Sequence, residues 1–393
     1  MAIWDSKSLG EIVTLQRGYD LPAAERIEGN IPIYGSAGIT GYHHIAKKQG
    51  PGVVVGRSGA SIGKVNYIPT DYWPHNAVLF VTDFKGNAPM YVYYLLSTLD
   101  LGSLNSGSAQ PSLNRNYVYT LEALTPPLPT QKKIASILSA YDDLIENNNR
   151  RIKMLEEMAQ NIYREWFVHF RYPGHEDVPM VDSELGQIPQ GWEVKKVADF
   201  GDVLTGKTPS KKVPEYFGAN IPFIKPPDMS NGMFCLATED GLSAKGAASQ
   251  PKKTIPPNSL CVSCIGTPGL VVITHKESQT NQQINSIVLP DIIQREYLYF
   301  ALLALKPTID QYAATGATMP NLSKGKFENL HLIYPELQVI TDFHMVTEPI
   351  FEEIRTVQVQ NQNLRKTRDL LLPKLISGQL DVEELDIDIN ADV

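Results

Sequence analysis

Cysteine is scarce in this chain: three residues among 393, an odd number, do not make a disulfide framework and read most simply as free thiols in a reducing cytosol. Long hydrophobic runs are missing too. None approaches the roughly 20 residues that a membrane-crossing helix needs, because Pro, Gly or charge breaks the longest candidates. The opening MAIWDSKSLGEI lacks a basic stretch followed by an apolar one, which argues against a secretory leader. Catalytic and metal signatures are equally sparse. No His-Glu-x-x-His and no Gly-x-Ser-x-Gly occurs. Cys261-x-x-Cys264 has no second pair at zinc spacing, Cys235 lies well upstream, and the apolar neighbours Leu260, Val262 and Ile265 suit a buried strand. His43, His44 and His75 are read as surface or core residues.

A surplus of positive charge is also absent. The formal net charge of −8 opposes, at first, a role in binding an anionic polymer. Residues 381–393 carry six of the acids (Asp381, Glu383, Glu384, Asp386, Asp388, Asp392) and no base, so the rest of the chain stands at −2. A nearly neutral body can still present a basic face, because screened fields act locally. With 42% hydrophobic and 20% charged residues the composition is that of a globular protein, and the length accommodates two to three domains.

What the sequence does contain is a duplication. SGSAQPSLNRNYVYTLEALTPPL, from Ser106, aligns with TGATMPNLSKGKFENLHLIYPEL, from Thr315, at a constant offset of 209 residues. Gly107 falls on Gly316, Pro111 on Pro320, Leu113 on Leu322 and Leu121 on Leu330. Nearer the front of each half, Trp4 matches Trp192, Gly18 matches Gly206, and Asn30-Ile31-Pro32 matches Asn220-Ile221-Pro222. So long a period means two copies of a whole domain, not a solenoid unit. Each copy begins with a Gly-, Pro- and Tyr-rich part holding short β-branched runs such as Gly52–Gly56, which predicts short strands and turns. Each then changes abruptly to helix-forming residues.

From Gln131 to Phe170 there is neither Pro nor Gly. Ile134, Leu138, Tyr141, Ile145, Asn148, Ile152, Leu155, Ala159, Ile162 and Trp166 step by alternating four and three, a strict heptad seam. Ile350, Ile354, Val357, Asn361, Leu364, Arg368, Leu371 and Leu375 repeat the seam in the same register. Pro349 and Pro373 interrupt the second run, so this helix is expected to start late and to kink near its end. A single amphipathic helix ordinarily packs on its own domain; two heptad helices in one chain ordinarily pair. An antiparallel pair with a pseudo-two-fold near Arg150 and Val359 would set Asn148 opposite Asn361, a polar contact that specifies register. Such a pair suits two domains that each read part of a duplex.

In this order the motifs resemble the specificity (S) subunits of type I restriction–modification systems. The segments that carry the resemblance are LGEIVTLQRG, VADFGDVLTGKTP, the two Asn-Ile-Pro runs, GRSGASIGKV, LPTQKKIASILSAYDDLIENNN with its later EWF, and LLLPKLISGQL. The resemblance implies an α+β fold: two similar globular mixed α/β target-recognition domains separated by two long antiparallel coiled-coil helices, pseudo-two-fold symmetric. Residues 1–128 would be the first recognition domain, 129–172 the first spacer helix and 173–191 a linker. Residues 192–337 would be the second domain, 338–380 the second helix and 381–393 an acidic tail. It further implies an asymmetric bipartite double-stranded DNA target. The implied partners are two modification (methyltransferase) subunits that bring S-adenosylmethionine, and restriction (translocase) subunits that use ATP and Mg. No cofactor is then expected in this chain, and no membrane; the location would be the prokaryotic cytoplasm, in association with the nucleoid. Two other readings stay open, a duplicated coiled-coil adaptor that binds only proteins, and the specificity subunit of a related type II-like methyltransferase or nuclease.

The resemblance leaves the chemistry of recognition to particular residues. No Asn-Pro-Pro-aromatic sequence for methylating an extruded adenine occurs, since Ile255-Pro256-Pro257-Asn258 has the wrong order, and Asp142-Asp143 is read as lying on the outside of its helix. No catalytic residue and no metal ligand is assigned. GRSGASIGK (Gly56–Lys64) is not a nucleotide-binding loop, because Ser58 and Val65 stand where that motif needs Gly and Ser or Thr. It is read as a tight turn whose Arg57 and Lys64 either reach phosphate or are ordinary solvated cations. Candidate DNA contacts in the first domain are Arg17, Tyr19, Tyr34, Tyr42, Lys47, Lys48, Arg57, Lys64 and Arg115. Those in the second are Lys207, Lys211, Lys212, Lys225, Lys245, Lys252 and Lys253. Where the first copy has VVVGRSGASIGKV the second has CVSCIGTPGLV, so the two domains are expected to read different sequences or the second to make fewer charged contacts.

Overall fold

The duplication recurs strand for strand. A computed structural model describes residues 4–104, 112–313 and 321–387. The repeat positions Gly107, Pro111, Gly316 and Pro320, and the tail acids Asp388 and Asp392, lie outside the described residues. In the first copy Thr14–Arg17, Val78–Asp83, Gly52–Gly56 and Val65–Ile68 form an antiparallel sheet in that spatial order. In the second, Asp202–Thr205, Ile284–Val288, Leu260–Ser263 and Val271–Thr274 do the same, with Phe234–Cys235 added in parallel at one edge. A smaller sheet of Gly38–His43, Ile31–Gly35 and Trp73–Pro74 is matched by Gly241–Leu242, Phe217–Ile224 and Gln279–Thr280.

The central strands are apolar on both sides because both sides are covered. Successive side chains alternate across a strand. Val53 and Val55 therefore enter one cluster of the first copy and Val54 another, while Leu260 and Val262 are separated from Cys261 in the same way in the second. The Cys261–Cys264 segment is the buried strand its neighbours suggested, and Cys235, Cys261 and Cys264 are free thiols. Burial pushes the Cys261 thiol up to about 12 and that of Cys264 to about 11, which keeps both protonated.

The chain divides into two compact units, Met1–Glu146 with Asn363–Val393, and Asn147–Gln362. The long helices are Leu128–Tyr163 and Leu337–Ile376. The first unit takes residues 128–146 and 363–376 of them, and the second takes 147–163 and 337–362. Within each unit the two segments run antiparallel. In the first, Ile134 and Leu138 share a core with Leu371 and Leu375, and Asp142 pairs with Arg368. In the second, Asn148 donates to Asn361 Oδ1 at 2.9 Å, Asn361 donates to Asn149 Oδ1 at 2.9 Å, and Arg151 meets Glu353 at 2.7 Å. The two seam asparagines thus face each other as the heptads required, and each amide satisfies part of the other. Ile145, Ile354 and Val357 are buried in the seam, while Ile152, Leu155 and Leu364 are half-buried.

Several expectations need correction. The second helix does not start late: it begins at Leu337 and runs unbroken through Pro349 and Pro373. Both prolines are exposed, and the carbonyls they leave unpaired belong to Met345 and Asp369 on the same outer face, where water can donate to them. The first helix ends in a π turn at Arg164–Val168, and widening there makes Phe167, not the seam residue Trp166, the more buried. The stretch 173–191, read as a linker, holds the hairpin Met180–Ser183/Gly186–Pro189, whose Ile188 joins the second unit's core. Asp142 is not on the outside; Tyr94 Oη donates to it at 2.5 Å and Arg368 pairs with it, while Asp143 is exposed. Among the described residues no helix is long and apolar enough to cross a membrane.

Candidate nucleic-acid interface

One glycine in each copy, at equivalent positions, shapes the site. Gly18 N donates to Val78 O at 3.0 Å, and Gly206 N to Ile284 O at 3.1 Å. A Cβ on Gly18 would lie 2.0 Å from the His75 carbonyl oxygen, and one on Gly206 2.1 Å from that of Asn281. The chain crosses a turn there at a distance only glycine allows. Gly18→Ala or Gly206→Ala is expected to cost about 1–3 kcal/mol, read from a urea unfolding midpoint, because backbone rather than a side chain must move.

Beyond Gly18 the first copy builds an open cleft of about 650 Å3, lined by Gln16, Arg17, Tyr19, Arg57, Asn114 and Arg115 among others. Arg57 is held from both sides: its N–H donates to Ala77 O, and its carbonyl accepts from Leu113 N, both at 2.8 Å. Its side chain makes one long contact, Nη1 to Asn76 O at 3.5 Å. Arg115 Nη1 donates to Leu15 O at 3.1 Å, and Arg17 lies 3.7 Å from Asp20. Three guanidinium groups from separate segments thus meet at one opening, an arrangement suited to phosphates and to the acceptor edge of guanine. Lys47 lies 5.0 Å from the Tyr19 ring and 5.5 Å from Trp73, and Lys48 5.2 Å from Phe80. Tyr42 is exposed. Lys64 Nζ donates to Ala37 O at 2.8 Å, tying the Gly56–Lys64 turn to a neighbouring loop. Tyr34 lines a different cleft with Tyr67, Tyr93 and Asp143, and burial raises its phenol above the usual range.

The second copy repeats this scaffold with other side chains. Tyr19 N donates to Pro74 O at 2.8 Å, and Lys207 N to Thr280 O at 2.9 Å. Gly56 N donates to Lys64 O at 2.7 Å, and Ser263 N to Leu270 O at 2.9 Å. Cys264 N donates to Gln283 O at 2.7 Å, and Leu322 N to Cys264 O at 2.8 Å. These matched bonds put Thr205, Cys264, Leu270 and Lys324 at the positions of Arg17, Arg57, Lys64 and Arg115. Cys264 is buried, and Lys324 pairs with Glu328 at 3.2 Å. Of the cations proposed for this copy, Lys207, Lys211, Lys212, Lys245 and Lys252 are exposed. Lys225 is paired with Asp240 at 2.8 Å and Glu239 at 3.4 Å, Lys245 with Glu215 at 2.9 Å, and Lys253 Nζ donates to Thr205 O. Of the cations proposed for the second copy, Lys225 and Lys245 therefore have their charge met within the protein.

Sequence reasoning that looked for cations passed over the amides: Gln16 and Asn114 in the first cleft, Gln282 and Gln283 at the equivalent turn of the second. The run Thr-Asn-Gln-Gln at 280–283 was their available signal. Among the described residues no group of three His, Cys, Asp or Glu could hold a metal ion.

A family model described as the type I restriction modification DNA specificity domain matches the chain over residues 1–157 and 189–343. The type I restriction enzyme HindI specificity subunit of Haemophilus influenzae is 34% identical over 329 residues, which is 69% of this chain and 71% of that protein. The MjaIX specificity subunit of Methanocaldococcus jannaschii is 28% identical over 347 residues, 85% of this chain and 79% of its own. Among solved structures, the S subunit of a type I restriction–modification system from M. genitalium superposes with a TM-score of 0.65 at 13% identity, covering 95% of this chain and 96% of that one, which shows a shared fold.

Proposed function

This chain belongs to the type I restriction–modification DNA specificity family, and on that premise we propose that each of its two copies reads one half of an asymmetric bipartite target in duplex DNA while the paired helices set the spacer. The chain is the non-catalytic recognition subunit of its complex. The observation that carries the reading at residue level is the cleft where Arg17, Arg57 and Arg115 converge beside Gln16 and Asn114, the residue types that meet phosphates and base edges. In this reading two modification subunits dock on the chain and supply S-adenosylmethionine. Restriction subunits supply ATP and Mg, and the complex works in the cytoplasm on the nucleoid.

The test is to map methylated adenines genome-wide in cells that carry this chain with its modification subunits. One two-part motif is expected. Removing one heptad from each helix, seven residues or about 10 Å of rise, should shorten the spacer by about 3 bp and leave both half-sites unchanged. Recovery of the original spacer from the shortened chain would sink the role given to the helices. Binding of DNA that did not weaken with added salt would sink the role given to the clefts, since neutralised phosphates release counterions.

A further inference from the structure

Two residues beyond the shared glycine, the copies differ in a way that redirects a carboxamide. In the first copy that residue is Asp20, and its carboxylate accepts a hydrogen bond from Asn76 Nδ2. One Nδ2 hydrogen of Asn76 is thereby engaged, and Arg57 beside it retains nearly its full set of donors. In the second copy the residue is Thr208, whose hydroxyl donates to Gln282 Oε1 at 2.7 Å. Gln282 occupies the position of Asn76, is exposed, and keeps both Nε2 donors and one acceptor lone pair. The Arg57 position next to it is Cys264, whose sulfur is buried and accepts from Asn285 Nδ2 at 3.2 Å. One scaffold thus presents a guanidinium in the first copy and an oriented carboxamide in the second.

We propose that the two copies read opposite base chemistries: Arg57 pairs with the O6 and N7 acceptors of a guanine in one half-site, and Gln282 with the N7 and N6 groups of an adenine in the other. The chemistry matches group by group. A guanidinium offers two parallel donors to the two guanine acceptors, whereas a carboxamide offers the donor and acceptor that adenine requires. Arg17 and Arg115, braced on Asp20 and on Leu15 O, act as phosphate contacts.

The inference rests on the DNA-specificity reading, and the experiment separates the two. The intact complex carrying Arg57→Lys, Gln282→Ala or Gln282→Glu is compared with the parent by methylome mapping. Arg57→Lys keeps the charge and loses the two-donor fork. It should relax a guanine position in one half-site, with discrimination falling on the order of 10- to 100-fold, and leave the other half-site as read before. Gln282→Ala should relax an adenine position in the other half-site only, and Gln282→Glu should move that position toward cytosine, whose N4 donates to a carboxylate. The unaffected half-site reports that each variant is folded and assembled. A parent motif with no guanine or adenine at the relaxed positions, both residues acting on one half-site, or Arg57→Lys lowering methylation equally at all sequences would overturn the inference. A parent complex that leaves no two-part motif would overturn the underlying reading instead.

Discussion

Glu296→Ala should destabilise the second unit by about 3–5 kcal/mol, a large share of the 5–15 kcal/mol that holds a domain folded. Arg295 and Glu296 open the helix Arg295–Ala304 and are 1% and 0% exposed. Arg295 Nε donates to Glu296 Oε1 at 2.8 Å and Nη1 to Asn258 Oδ1 at 2.8 Å, with Glu352 at 3.4 Å. His344 Nδ1 meets the other Glu296 oxygen at 2.6 Å. Removing the carboxylate strands a guanidinium in the interior without its closest counter-charge. The cost comes from that desolvated cation, not from the attraction lost. Arg295→Met combined with Glu296→Leu should therefore cost much less than Glu296→Ala alone, since it removes both charges at once. Hydrogen exchange of residues 295–304, read against urea, measures the difference. A Glu296→Ala loss below about 1 kcal/mol would show that water already reaches the pair.

Phe343→Ala is expected to cost a comparable amount, about 3–5 kcal/mol. Its ring is fully buried, with centroids 4.9 Å from Phe167, 5.7 Å from Trp166 and 6.4 Å from Tyr163. Phe343 thus joins the two helix segments of the second unit, one heptad before Ile350 in the same seam. Alanine would leave a hole among rigid aromatic rings that cannot collapse into it, so transfer and cavity costs add. Phe343→Leu should recover more than half of the loss, because it refills most of the volume. Urea unfolding followed by tryptophan fluorescence reports directly, since Trp166 borders the cavity. Equal midpoints for the alanine and leucine variants would rule out the cavity account.

The two variants fall on features of different legibility. Phe343 lies one heptad before Ile350, where the expected late start of the helix hid it, although heptads otherwise show in sequence because each residue's facing follows from its place in a helix. The pairing of Asn148 with Asn361 was readable for the same reason, as was the buried strand around Cys261. Arg295–Glu296 was not readable. Two adjacent charges look like solvated surface until the fold closes over them. Pro349 misled in the opposite direction: a helix breaker by propensity, it is tolerated where the freed carbonyl faces water.

Local, repeated patterns determined the duplication, the seam and its register, and the family resemblance, because such patterns record only neighbours along the chain. The composition of the clefts was decided by tertiary structure. Arg17, Arg57 and Arg115 come from segments about 40 and 60 residues apart and meet only because strand pairing and the turn beside Gly18 bring them together. Whether the nitrogen of Asn76 or the oxygen of Gln282 is engaged depends on one residue across that turn, Asp20 or Thr208, a contact that no periodicity in the chain encodes.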